Sequence, residues 1–95
     1  EQIASEFNRI GLKDYENKPV SELSGGMKRR VAILRALLAE DSNLILMDEP
    51  FKGLDEALKF QVMHYVKEKT KGKTVIIVTH DKEESDALDA QLILL

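Results

Sequence analysis

The sequence predicts an α/β fold with parallel strands, on three observations. Two short apolar runs, Leu44-Ile45-Leu46-Met47 and Val75-Ile76-Ile77-Val78, have the unbroken hydrophobicity of strands buried on both faces of a parallel sheet. Between them, from about Asp55 to Thr70, apolar residues recur at helical spacing: Leu58, Val62, Tyr65 and Val66. The order strand, helix, strand implies a right-handed crossover that sets the two strands side by side in parallel.

From the beginning of the chain, Ile3, Phe7 and Ile10 share one helical face and Gly11 follows as a stop, so residues 1–10 read as a short amphipathic helix. Asp14, Asn17 and Pro19 make Leu12 to Glu22 a loop. A second helix opens at Ser24 with an inward stripe of Val31, Leu34, Leu37 and Leu38, and with Lys28, Arg29, Arg35 and Glu40 off it. The first strand lies between Asp41-Ser42-Asn43 and Pro50. The crossover helix begins at Asp55-Glu56, whose charges suit its positive end, and stops at Lys71-Gly72-Lys73. Thr74 to Thr79 is the second strand, Asp81 to Leu88 a short helix and Gln91 to Leu95 a third strand.

A chain of 95 residues is one small domain or a piece of a larger one. It starts at Glu1 inside a predicted helix, which points to a piece. A net charge of −3 gives no general attraction to nucleic acid or anionic membrane. The lack of cysteine excludes disulfides, thiolate metal sites and a cysteine nucleophile. Neither Val75–Val78 nor Leu92–Leu95 is long enough to span a bilayer, and no signal segment opens the chain.

Ligands of parallel sheets bind beyond the carboxyl ends of the strands, and here those ends carry Asp48-Glu49 and His80-Asp81. On neighbouring strands these groups converge. One carboxylate there can engage Mg²⁺ directly or through water, a second can deprotonate a water, and an imidazole can donate to a phosphate oxygen. Taken alone, Asp-Glu-Pro could simply end a strand. Ser24-Gly25-Gly26 at a helix start offers a cap and close approach to free backbone N–H groups, which suits an anion, or simply a capped turn. Lys28-Arg29-Arg30 reads as a solvated helix face, Lys67, Lys69, Lys71 and Lys73 as cations near a helix C-terminus, and His64 lacks zinc-ligand spacing to His80.

Four segments together resemble ABC-type ATPases. Leu23-Ser24-Gly25-Gly26-Met27 resembles the signature motif, and Leu44-Ile45-Leu46-Met47-Asp48-Glu49-Pro50 the Walker B strand with its glutamate. Gly53-Leu54-Asp55 resembles the D-loop and Val78-Thr79-His80-Asp81 the switch histidine, all in the family's order. The resemblance implies part of a P-loop NTPase fold, with parallel strands and flanking helices preceded by part of a helical subdomain. Residues 1–40 would belong to that subdomain and residues 41–95 to the α/β core. It further implies ATP and Mg²⁺ as cofactors of a full-length dimer. Asp48 would engage the metal through water, Glu49 would be the general base, and His80 would contact the γ-phosphate. Asp55 would lie at the dimer seam, and Ser24, Gly25 and Gly26 would complete the site of a second ATPase subunit. Transmembrane transporter subunits would be the other partners, at the cytoplasmic face of the membrane, with no nucleic acid expected. Met27 stands where the family usually has glutamine, and Lys52-Gly53 replaces a commoner pair.

A phosphate loop is missing. Gly72-Lys73-Thr74 matches the end of G-x-x-x-x-G-K-[ST], but Lys67 stands where the first glycine belongs, and a helix precedes the segment instead of following it. The family's adenine-stacking aromatic and glutamine loop are absent too. The expectation is therefore a part of a transporter ATPase, of importer type, that neither binds ATP tightly nor hydrolyses it alone. Two alternatives are the C-terminal lobe of a DNA-repair or chromosome-organising ABC ATPase and a truncated, non-catalytic dimerisation module. Residues 1–22 carry no sustained heptads, which disfavours the first.

Overall fold

In a computed structural model, residues 2–39 and 43–88 are described. They form helix α1 (Gln2–Arg9), a 3₁₀ turn (Val20–Glu22), α2 (Gly25–Leu38), β1 (Leu44–Asp48), α3 (Glu56–Lys69), β2 (Thr74–Val78) and α4 (Lys82–Ala87). The strand expected at 91–95 lies outside the described residues. So does Glu40, expected on the outer face of α2. The stretch expected as a loop holds the 3₁₀ turn, which Pro19 starts by fixing an extended backbone at its N-cap (φ −62°, ψ 147°).

Strands β1 and β2 pair in parallel, as the crossover predicts, with Leu44 level with Thr74 and Asp48 level with Val78. One face of the pair carries the core. Ile45 and Met47 meet Ile33, Leu34 and Leu37 of α2, Val62, Met63, Tyr65 and Val66 of α3, and Ile10, Leu12 and Phe51 from the connecting segments.

The expectation of strands buried on both faces is corrected: Leu44, Leu46, Ile76 and Val78 form an exposed apolar face. Their residue types suit a sheet covered on both sides, but the helices described here cover only one. The stripes expected on the helices also shift. Ile3 and Leu38, at the outer ends of α1 and α2, are exposed, and Ile33 is buried instead.

Arg30, expected on a solvated face, is buried on the inner side of α2. Its Nη1 donates to the Ile10 carbonyl at 3.0 Å and to the Gly11 carbonyl at 3.3 Å, supplying donors where α1 ends and its carbonyls lose their helical partners. Burial lowers the Arg30 pKa, and the charge of Asp55 partly offsets that. Gly11 suits this turn by its backbone and by the space beside it. Its φ is +79°, and a Cβ would sit 2.7 Å from Leu58 Cδ1 and 3.0 Å from Arg30 Nη1.

Helix α1 is tied to α3 by charge. Lys69 Nζ lies 2.7 Å from Glu6 Oε1, Arg9 pairs with Glu68, and the Arg9 guanidinium stacks over the Tyr65 ring at 4.8 Å. Burial pushes the Glu6 carboxyl up, but Lys69, Tyr65 and Arg9 together bring it below its ordinary value.

Candidate functional site

Because β1 and β2 stay in register to their last residues, the chain leaves the sheet at one common edge after Asp48 and Val78. The Glu49 N–H still donates to the Val78 carbonyl at 2.7 Å, carrying the ladder one residue past β1. There the backbone turns sharply, with Glu49 at φ +47°. That conformation is rare outside glycine and runs against Pro50, which favours an extended backbone at the residue before it. Such a residue costs about 1–3 kcal/mol and persists only where its surroundings hold it. Here the next two residues, Pro50 and Phe51, are buried, and the Lys52 N–H donates to the Glu49 carbonyl at 3.3 Å.

The turn aims the Glu49 carboxylate at the end of β2. His80 Nε2 lies 3.4 Å from Glu49 Oε1, with 95% of the His80 side chain exposed against 27% for Glu49. The approach does not have hydrogen-bond geometry, and Glu49 Oε1 is buried without a hydrogen-bond partner among the described residues. A buried carboxylate oxygen left unpaired is an acceptor positioned for a donor that comes from outside. Both residues line an open cleft of about 520 Å³, together with Lys52, Asp81 and Lys82. The cleft thus joins one available base, one exposed imidazole, two ammonium groups and a second carboxylate, Asp81.

Asp48 is not part of that cleft. Strand alternation puts it with Leu44 and Leu46 on the uncovered face of β1. Among the described residues no cluster of three or more His, Cys, Asp or Glu could hold a metal. A single exposed carboxylate still fits Mg²⁺ bound mainly by water and phosphate oxygens, the usual arrangement for that ion, but not an ion held by the protein alone.

Ser24 caps α2 as expected. Its hydroxyl accepts from the Met27 N–H at 3.1 Å, and the Ser24 N–H approaches Met27 Sδ at 3.4 Å, so the thioether fills the return half of the capping box weakly. A Cβ built on Gly25 or Gly26 meets no atom within 4 Å, so nothing in the packing of the described residues demands glycine there. None of the three lines the cleft. Arg29, one turn along, donates from Nη1 to the Lys52 carbonyl at 3.0 Å, tying α2 to the loop that follows Glu49.

Asp55 also lies outside the cleft and caps α3, accepting from the Leu58 N–H at 2.8 Å. The turn before it needs Gly53, whose φ is +83° with open space around it.

The sequence reading missed a cluster beside His80. Lys59 Nζ lies 2.6 Å from Asp81 Oδ2 and 2.9 Å from Glu84 Oε2. The hydrogen bond from Lys59 holds the Asp81 carboxyl below its ordinary value, and the two carboxylates raise Lys59. The Thr79 hydroxyl donates to Glu84 Oε1 at 2.6 Å and accepts from the Asp81 N–H at 3.1 Å. The signal was present as Asp81-x-x-Glu84, a capping-box spacing, with Thr79 two residues ahead of it.

Comparisons with known proteins agree with the motifs. The family described as ABC transporter matches residues 1–52. A taurine import ATP-binding protein of Roseobacter denitrificans is 44% identical over 88 residues, which cover 90% of this chain and 32% of that protein. An uncharacterized ABC transporter ATP-binding protein of Haemophilus influenzae is 40% identical, over 94% of this chain and 37% of its own length. A spermidine/putrescine import ATP-binding protein of Mycoplasma capricolum is 36% identical, over 99% and 27%. The chain thus spans about a third of the length of the curated relatives it matches. No helix among the described residues is long and apolar enough to cross a membrane. With its parallel α/β core and four motifs in the expected order, the chain belongs to the ABC transporter family, on the side of its ATP-binding domains.

Proposed function

We propose that this chain supplies the hydrolytic rim, but not the main nucleotide grip, of the ATPase subunit of an ABC importer. One observation carries the proposal: a strained backbone at Glu49 holds a buried, unpartnered carboxylate oxygen 3.4 Å from the exposed His80 ring. In that position Glu49 takes a proton from water as the water oxygen bonds to the γ-phosphorus of ATP and the bond to the β–γ bridging oxygen breaks, leaving ADP and phosphate. His80 donates to a γ-phosphate oxygen, and Lys52 and Lys82 at the same cleft can meet phosphate oxygens. Mg²⁺ bound with the nucleotide would offset phosphate charge, and Asp48 would hold it through water.

The open space before Gly25 and Gly26 supports a role for Ser24, Gly25 and Gly26 toward nucleotide held by a second ATPase subunit, with Asp55 at the seam between the copies. Residues 1–40 then belong to a helical subdomain and residues 41–95 to the α/β core, and transmembrane subunits are the partners at the cytoplasmic face. The names of the relatives, which import taurine or spermidine and putrescine, favour import of a small solute.

The test compares this chain with a full-length ATPase that contains it. The full-length protein is expected to hydrolyse Mg-ATP, while the 95-residue chain shows no turnover and no tight binding by calorimetry. A full-length protein without ATPase activity would overturn the proposal. Turnover by the purified chain, free of contaminating ATPase, would overturn its division of labour.

A further inference from the structure

His80 is held mainly through its neighbours. Its ring is 95% exposed and makes no hydrogen bond with Glu49, whereas the residues on either side of it are tied down. Asp81 binds Lys59 directly, and Thr79 binds Glu84, which binds Lys59. The Lys59 and Glu84 side chains are only 12% and 7% exposed, so this is a largely buried ion pair with a defined geometry. Lys59 sits in the first turn of α3, where its N–H donates to the Asp55 carbonyl at 2.8 Å. One helical turn therefore connects the Asp55 cap to both flanks of His80.

We propose that Lys59 is a positioning residue: it locks the Thr79-His80-Asp81 turn to the first turn of α3, so that a displacement of Asp55 on docking of a second copy is passed to the imidazole. This rests on the roles given above to His80 and Asp55. Without Lys59, two carboxylates beside the cleft lose their cation and the turn that carries His80 is released.

The experiment uses the full-length ATPase with Lys59→Met, Lys59→Arg, His80→Ala and the Lys59→Met/His80→Ala double variant. It measures kcat and KM together with hydrogen exchange of the amides of residues 79–84. Lys59→Met is expected to lower kcat by about ten- to a hundredfold, the scale of a small misplacement of a catalytic group, with little change in KM. Lys59→Arg should recover most of the loss. In the His80→Ala background Lys59→Met should add nothing, because it acts through that ring. Exchange over residues 79–84 should quicken in Lys59→Met and in the double variant, but not in His80→Ala. Should Lys59→Met fail to fold, Thr79→Val, which keeps the ion pairs but cuts the bond to Glu84, carries the same comparison with a smaller expected loss. Unchanged kcat, losses additive with His80→Ala, or unchanged exchange would overturn the inference. A wild-type protein without hydrolysis would defeat the ATPase reading instead, and the exchange comparison alone would then decide whether Lys59 holds the turn.

Discussion

Removing the Leu46 side chain should cost little in this chain and much more in the full-length ATPase. Leu46 and Ile45 are adjacent on β1, but Leu46 is 67% exposed and Ile45 3%. In the 95-residue chain Ile45→Ala opens a cavity in the core and should destabilise by about 2–5 kcal/mol. Leu46→Ala there loses little burial and should stay within about 0.5 kcal/mol, as exposed positions do. If the uncovered face of Leu44, Leu46, Ile76 and Val78 is internal to the complete domain, Leu46→Ala in the full-length protein should rise to the same ~2–5 kcal/mol as Ile45→Ala. Urea unfolding of both variants in both contexts gives the four values, read from midpoints at constant slope. A Leu46→Ala variant as harmless in the full-length protein as in the chain would refute the idea that this apolar face is packed there.

Glycine positions give a second check: Gly53→Ala should cost only the left-handed penalty of about 1–2 kcal/mol, since nothing crowds it, whereas Gly11→Ala adds a 2.7 Å contact with Leu58. Equal losses in thermal unfolding would contradict the close approach at Gly11. The acid limb of stability provides a third. The Glu6, Glu68 and Asp81 carboxyls lie below their ordinary values of 4.5, 4.5 and 3.8 when folded, so the stability they contribute is present above those values and drains as pH falls through the folded ones. Circular dichroism should show the chain losing stability below about pH 4.5, less steeply in Lys69→Met, and a flat profile would contradict the pairings.

Much of this architecture could be read from residue patterns. The parallel pair followed from two unbroken apolar runs around a helix-period segment, and the register then brought Glu49 and His80 together as the motifs required. Burial was harder to read, because pattern reports what a residue suits and not what covers it. Leu46 and Val78 have strand-core chemistry yet face open space, while Arg30 looked like surface and is buried against the end of α1. Asp48 and Glu49 are neighbours in sequence, yet alternation along β1 sets Asp48 on the uncovered face and only Glu49 lines the cleft. Lys59 was hidden for a different reason: its partners Asp81 and Glu84 lie more than twenty residues away and meet it only once α3 packs beside the end of β2.

Everything proposed for the site depends on the Glu49 carboxylate acting as the base beside His80. Replacing Glu49 by Gln in the full-length ATPase keeps the shape and removes the proton acceptor. Steady-state hydrolysis should fall by about 10²–10⁴ while ATP affinity stays near that of the unaltered protein. Hydrolysis at the unaltered rate, with binding intact, would contradict that role.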